Sequence, residues 1–382
     1  MNKQLRESLS DLLVIEKKLG SGAFGTAYVV FVAETEKARS KYQASSKYAL
    51  KVIKTDPTVR NEYNKREKLS AIEIRHMKTL EYNENHTNVV NILSYFPKDQ
   101  FFKDSPAIIV MDFCTKGELT KYFKTHYDTF DPQSCLKQLL HGLQYIHSFN
   151  IIHRDIKSDN IFVTENSRRE TVYKIGDFGV SKIANSNGKI FELGGTRSLA
   201  APECIEYSNV GGVSPKRGIT NKIDTWCLGL LFFVVKTGKR AFPGKKQTQR
   251  DEYQIRGFEG VRWISSKGDD LMSLFSKKGF DLLSKLLRKN PLERYCCEKA
   301  LAHSFFNDLD GEVKMSVRKS RKRVKQSIEA MKKRKDQEIS RAKKLEDQLD
   351  SSQNEDHSNV AAEFVKKEVV LKENDSFVLR KA

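Results

Sequence analysis

The spacing of apolar residues changes period part-way along the chain, and this constrains the fold more than any other feature. Up to residue 112, short Val/Ile/Tyr-rich runs (Tyr28–Val32, Tyr48–Ile53, Ile108–Met111) alternate with loops, the signature of strands. Lys68–Leu80 carries apolar residues at helical spacing. From about Leu119 the pattern becomes mainly helical. Cys135–His147 places Leu136, Leu139, Leu140, Leu143 and Ile146 on one face, and Gly279–Leu287 and Pro291–Leu301 repeat that logic. A small strand-rich lobe over residues 12–112, followed by a larger helical lobe over 113–306, predicts an α+β class. An apolar fraction of 38% with 22 Phe in 382 residues supplies core for both. The pattern breaks at Asn307–Gly311, so residues 307–382 read as a charged tail, helical or disordered.

Charge and cysteine usage narrow the class. The net charge of +19 is concentrated in Lys314–Lys344, after which Leu345–Asp375 turns acidic. The clusters Arg318–Arg323 and Lys332–Lys335 have the spacing of a two-part nuclear import signal. A solvated charged helix, a partner-binding helix and a surface for acidic partners or nucleic acid are the other readings of this tail. Met1–Asp11 is polar, so no secretory signal is expected, and Leu228–Val235 is too short to span a bilayer and reads as a buried helix. Six cysteines without a C-x-x-C pair suit reduced thiols. A soluble cytoplasmic or nuclear protein with no transmembrane segment is the expectation.

Leu12–Leu19 is strand-like and leads into Gly20, Ser21, Gly22, Ala23, Phe24, Gly25, Thr26 and Ala27, with Tyr28–Val32 as the return strand. Glycines let backbone N–H groups approach phosphate without Cβ obstruction. The dinucleotide-binding use of this motif needs a helix after the glycines, and here a strand follows. An ordinary Gly-rich hairpin remains open on this evidence alone. Lys51 then sits inside the apolar strand Tyr48–Ile53, where an ammonium is costly unless paired, and Glu73 on the next helix is its candidate partner.

The decisive segment runs from Ile152 through His153, Arg154, Asp155, Lys157, Asp159 and Asn160 to Phe162, with Asp177-Phe178-Gly179 and Ala201-Pro202-Glu203 downstream. This ordered series resembles the eukaryotic protein kinase family, serine/threonine type, over roughly residues 12–306. The resemblance implies a two-lobed kinase fold and ATP- and Mg²⁺-dependent phosphorylation of protein Ser/Thr hydroxyls. It implies Asp155 as catalytic base, Lys157 beside the transferred phosphoryl group, and Asn160 and Asp177 as magnesium ligands. Lys51, paired with Glu73, would reach the ATP phosphates under the glycine loop. Leu19, Ala49 and Phe162 would sandwich the adenine, with Met111 as gatekeeper. Asp112 and Cys114 would offer hinge backbone amides, so their side chains need not matter, and Glu118 would reach the ribose or a basic substrate residue. Lys157 with Thr196 marks Ser/Thr choice. Asp224 resembles the brace of the catalytic loop, and Glu203 with Arg294 the buried ion pair of the family.

The segment Asp177–Glu203 departs from the pattern where related kinases carry an activating phosphate: Glu192 stands four residues before Thr196. Glu192 is expected to supply permanent charge to Arg154 and Lys182, at about half a phosphate's charge. Ser181, Ser186 and Ser198 are candidate regulatory sites. Ala27 replaces the usual valine, Arg197-Ser198-Leu199 replaces a stretch commonly containing Pro and an aromatic, and Ala33–Lys47 lengthens an early connection. A scaffold using the fold without turnover would lack one of Lys51, Asp155, Asn160 or Asp177, and all four are present. A small-molecule kinase would generally lack the Ala-Pro-Glu segment and its arginine.

Overall fold

A computed structural model describes residues 3–22, 25–43, 46–53, 73–80, 85–209, 218–242, 246–256 and 271–307. Expectations for the tail beyond Asn307, and for Ala23 and Phe24, lie outside these residues.

The apolar runs form one antiparallel sheet. After a short helix α1 (Lys3–Leu9) come β1 (Leu13–Ser21), β2 (Gly25–Val32), β3 (Lys47–Ile53), β4 (Ile92–Phe96) and β5 (Ile108–Asp112), ordered β1-β2-β3-β5-β4. Period-two alternation sorts the two faces. Tyr28, Val30, Tyr48, Leu50, Ile108 and Val110 pack outward under Leu5 and Leu9 of α1. Ile53, Ile92 and Ile109 pack inward with the main core. Ala49 and Lys51 alternate with Leu50, so they share the inward face. The connection Ala33–Lys47 does more than lengthen the chain. It holds α2 (Glu36–Arg39), capped by Thr35, and buries Ala38 and Tyr42.

Residues 73–80 are helical (α3) and set Ile74, Met77 and Leu80 into the main core. The helical part continues with α4 (Leu119–Thr125) and α5 (Pro132–Ser148). Pro132 begins α5 and Asp131 caps it by accepting from the Gln133 and Ser134 amides. Its buried face holds the five expected apolar residues, Leu136 to Ile146.

The stretch after Leu119 is less uniformly helical than its spacing suggests. It contains β7 (Ile151–Ile152), β8 (Ile161–Glu165), β9 (Thr171–Ile175) and β10 (Lys182–Ile183), which with β6 (Gly117–Glu118), just before Leu119, pair as β6-β8-β9 and β7-β10. These strands are too short for periodicity to separate from loop.

Next come α6 (Pro202–Asn209), α7 (Lys222–Thr237), α8 (Gln247–Arg256), α9 (Lys277–Leu286) and α10 (Cys297–Leu301). Helix α7 is buried nearly all round, as Leu228–Val235 suggested, and ends on Gly238 at φ 68°. The helix expected over Pro291–Leu301 is reduced to Cys297–Leu301. Asn290 Oδ1 accepts the Leu292 amide and turns the chain (3.1 Å), and Arg294 leaves the helical path to reach Glu203. Among the described residues, no helix is long and apolar enough to cross a membrane.

Candidate active site

The glycine hairpin closes through Gly22 N donating to Gly25 O (2.8 Å) and a Ser21–Thr26 hydroxyl contact (3.0 Å). A Cβ on Gly25 would stand 2.5 Å from Val52 O, so β2 and β3 pack there only because this residue is glycine. Gly20 and Gly22 face open space. Ala27 and Thr26 pair with Lys51 and Val52 across β2 and β3.

Lys51 donates to both Glu73 oxygens (2.8 and 2.9 Å), and Asp177 Oδ1 lies 3.6 Å from its ammonium. Burial works against the charge, but Glu73 and Asp177 outweigh it and raise the lysine's pKa. Asp177, at φ 63°, follows β9 after Gly176, and its buried Oδ1 accepts no hydrogen bond. Asn160 precedes β8 and donates through Nδ2 to Asp155, leaving its Oδ1 available. Gly176 N to Asn160 O (2.9 Å) ties the two positions together. A buried carboxylate oxygen with no hydrogen bond in the structure and an uncommitted amide oxygen are hard donors of the kind that suits magnesium, which takes few protein ligands and keeps phosphates and water as the rest.

Asp155 sits at the centre of a four-way network. Its Oδ1 accepts from Thr196 N (3.0 Å) and Thr196 Oγ1 (2.6 Å), and its Oδ2 accepts from Lys157 Nζ (2.9 Å) and Asn160 Nδ2 (3.0 Å). Lys157 also donates to Thr196 Oγ1 (3.1 Å). Burial pushes the Asp155 carboxyl up, yet the bonds from Thr196 and Lys157 prevail and hold it below the usual range. It is ionised and oriented.

The loop is braced from below. Fully buried Asp224 on α7 accepts from the His153 and Arg154 amides (2.8 Å each) and contacts His147 Nε2 (2.8 Å). His153 accepts the Asp155 amide at Nδ1 (3.3 Å), so it carries its proton at Nε2 and donates to Gly176 O (3.1 Å). Arg154 adopts φ 68°, and Gly195 adopts φ 85° with its Cβ position filled by Arg154 O, so that crossing admits only glycine.

Of the residues expected to line an adenine pocket, Ala49 pairs with Met111 across β3 and β5, Phe162 packs against Gly176, and Leu19 is exposed. The Asp112 side chain has a structural part that the sequence did not suggest: its Oδ2 accepts from Asn91 N, Asn91 Nδ2 and Lys174 Nζ (3.1, 3.0 and 2.8 Å). Burial, helped by Asp112, pushes the Cys114 thiol up to about 12, so it is inert. Glu118 stands 3.4 Å from Lys121 and in register with Phe162.

The Glu192 carboxylate acts on both cations through its charge, as expected, but of the two it hydrogen-bonds Lys182 alone. Lys182 donates to both of its oxygens (2.8 and 2.9 Å). Arg154 instead donates to the backbone oxygens of Val180, Glu192 and Leu193 (2.5, 3.3 and 3.3 Å). Ser181 is no surface site. It is fully buried, donates to Phe178 O (2.7 Å) and meets His76 Nδ1 at 2.6 Å. Arg294 forks onto Glu203 (2.7 and 2.8 Å), as anticipated. Sequence reasoning passed over His76, Asn91 and Lys174. A histidine three residues after the Lys51 partner, on the same helical face, was the available signal for the first.

A protein kinase domain model matches residues 13–306. The chain is 30% identical over 230 residues to the probable serine/threonine-protein kinase fhkD of Dictyostelium discoideum, covering 59% of this chain and 29% of that one. It is 28% identical to the DNA damage response protein kinase DUN1 of Saccharomyces cerevisiae, covering 85% of this chain and 61% of that one. It is 29% identical to the serine/threonine-protein kinase cds1 of Schizosaccharomyces pombe, covering 80% and 60%. The chain thus spans between about a third and three-fifths of the length of these relatives. With the match running from β1 to the end of the described residues, the chain belongs to the protein kinase family, among relatives that are serine/threonine kinases.

Proposed function

We propose that the chain transfers the terminal phosphoryl group of ATP to serine or threonine hydroxyls of proteins. Residues 12–112 form the nucleotide-binding lobe and residues 113–306 the larger lobe. The observation that carries this reading is Asp155: an ionised carboxylate, both oxygens oriented by Thr196, Lys157 and Asn160. An anionic, aimed carboxylate is what a hydroxyl needs in order to be positioned and relieved of its proton. The acceptor oxygen bonds to phosphorus as the bond to the departing ADP oxygen breaks, and the hydroxyl proton passes through Asp155. Lys157 offsets charge on the phosphoryl group in transit, and Lys51, held by Glu73, receives the ATP phosphates. Asn160 Oδ1 and Asp177 would hold magnesium, which would supply neutralising charge for the phosphates. Leu19, Ala49, Met111 and Phe162 enclose the adenine.

The bond from Lys157 to Thr196 beside Asp155 supports serine or threonine over tyrosine, since this is the pair that the family resemblance associates with Ser/Thr acceptors. Incubation of the purified chain with labelled ATP, magnesium and Ser/Thr or Tyr peptide libraries tests the reading. Transfer to Ser/Thr peptides should fall about 10²–10⁴-fold in Asp155→Asn. Equal transfer by the two proteins overturns the assignment of the base, and transfer to tyrosine alone overturns the acceptor class.

A further inference from the structure

Thr196 binds Asp155, and the next three residues, Arg197–Leu199, form a single 3-10 turn with no buried side chain. Its internal bonds, Leu199 N to Thr196 O (3.0 Å) and Ala200 N to Arg197 O (3.1 Å), are local and hold it weakly. Side chains from elsewhere anchor it. Cys227 donates to Leu199 O (3.3 Å), Gln254 Nε2 donates to Ser198 O (3.0 Å), and Arg197 donates through Nη2 and Nε to Asp251 Oδ2 (2.8 and 3.3 Å). Two of these anchors come from α8.

The inward face of α8 is unusual for a core-facing helix. Gln247, Asp251 and Gln254 fall at i, i+4 and i+7, where an apolar stripe is the norm. Asp251 is 5% exposed and Gln254 is fully buried. Gln247 Nε2 donates to the second Asp251 oxygen (2.6 Å). A buried carboxylate and a buried amide destabilise the fold unless they find partners; here Asp251 Oδ2 and Gln254 Nε2 find theirs in the turn beside the acceptor site, while Gln254 Oε1 has no hydrogen bond. Arg197 itself is 53% exposed, so the pair reaches from the core to the surface that a protein substrate meets.

We propose that Asp251, with Gln254, is a positioning residue for the protein substrate: α8 holds the Arg197–Leu199 turn where the acceptor chain approaches Asp155. The inference rests on the kinase reading above. Lys51, Glu73 and Asp177, which serve the nucleotide, are carried by other elements, so loss of the α8 anchor acts on the protein substrate and leaves ATP binding in place.

Steady-state kinetics of the full chain, with ATP, magnesium and a serine peptide selected from a random library by the wild-type protein, test this. Asp251→Asn keeps an oxygen for Arg197 and removes the charge. The KM for peptide should rise about tenfold while the KM for ATP stays within about twofold. Arg197→Gln should give the same split, and the double variant should be no worse than the poorer single, because both break one interaction. If Asp251→Asn does not fold, Arg197→Gln, altered at the exposed end, decides alone. Peptide and ATP KM moving together, neither moving in a folded variant, or additive losses in the double variant each overturn the proposal. A wild-type protein that phosphorylates no peptide overturns the kinase reading instead.

Discussion

The loop that carries Asp155 and the segment that carries Glu192 lie side by side but are held by different means. Beneath the loop, Asp224 accepts two backbone amides in full burial, and Gly176 is tied to both His153 and Asn160. The segment leans on Arg154, which binds backbone oxygens, and on the Lys182–Glu192 pair, whose side chains are 38% and 65% exposed. A buried charge deprived of its partner costs about 3–5 kcal/mol, whereas an exposed pair contributes about 0–1 kcal/mol. The Asp155 carboxylate is therefore built into the fold, while the segment beside it is a clasp that small energies can shift.

The contrast breaks first, if it is wrong, at the buried pairs. Arg294→Met leaves Glu203 without its fork and should cost about 3–5 kcal/mol in denaturant unfolding. A loss near zero would remove the distinction between braced and clasped regions. Asp224→Asn keeps one oxygen but turns an NH₂ toward a backbone N–H, and should cost about 2–3 kcal/mol together with most of the transferase activity.

His76 sharpens the comparison, because it joins α3 to the start of the clasped segment through Ser181. With the Ser181 proton donated to Phe178 O, His76 Nδ1–H donates to Ser181 Oγ. Burial, followed by the cations Arg75, Arg154 and Lys182, pushes the His76 pKa down from 6.5 to about 4. The unfolded chain binds the proton first as pH falls, so stability is full above about pH 6.5 and is lost down to about pH 4. The loss attributable to His76 should reach about 2 kcal/mol by pH 5, and His76→Asn, which keeps a donor for Ser181, should remove that part of the slope in urea unfolding at pH 7 and pH 5.

Glu192→Gln is the smallest case. Stability should change by less than about 0.5 kcal/mol, with activity of unphosphorylated protein falling several-fold; unchanged activity would show that the Arg154 bonds to backbone oxygens order the segment unaided.

The site was legible where chemistry restricts residue type. Lys51, Asp155, Lys157, Asn160, Asp177 and Thr196 stand together, and the proposed handling of phosphate, metal and hydroxyl leaves few alternatives to these residue types, while an apolar strand around Lys51 itself demands a partner such as Glu73. Fold class was legible from the change of period. Strands β8 and β9, which seat Asn160 and Asp177, were hidden because five residues carry too little periodicity. The burial of Ser181 was hidden because its partner, His76, lies 105 residues away. The polar face of α8 gave no apolar stripe to read, since its purpose is to bind a turn rather than to fill a core.

Sequence by itself determined the strand and helix periods, the glycine at the tight β2–β3 approach, and the set of groups available for phosphoryl transfer. Tertiary structure decided which partners those groups face: Arg154 on backbone oxygens, Glu192's included, rather than on the Glu192 carboxylate, Asp112 on Asn91 and Lys174, Asp251 on Arg197. Local sequence sets backbone conformation and alternation over a few residues. Desolvation and hydrogen bonding, by contrast, depend on what distant segments bring within about 3 Å. That proximity decides whether a carboxylate is a base, a brace or a solvated charge.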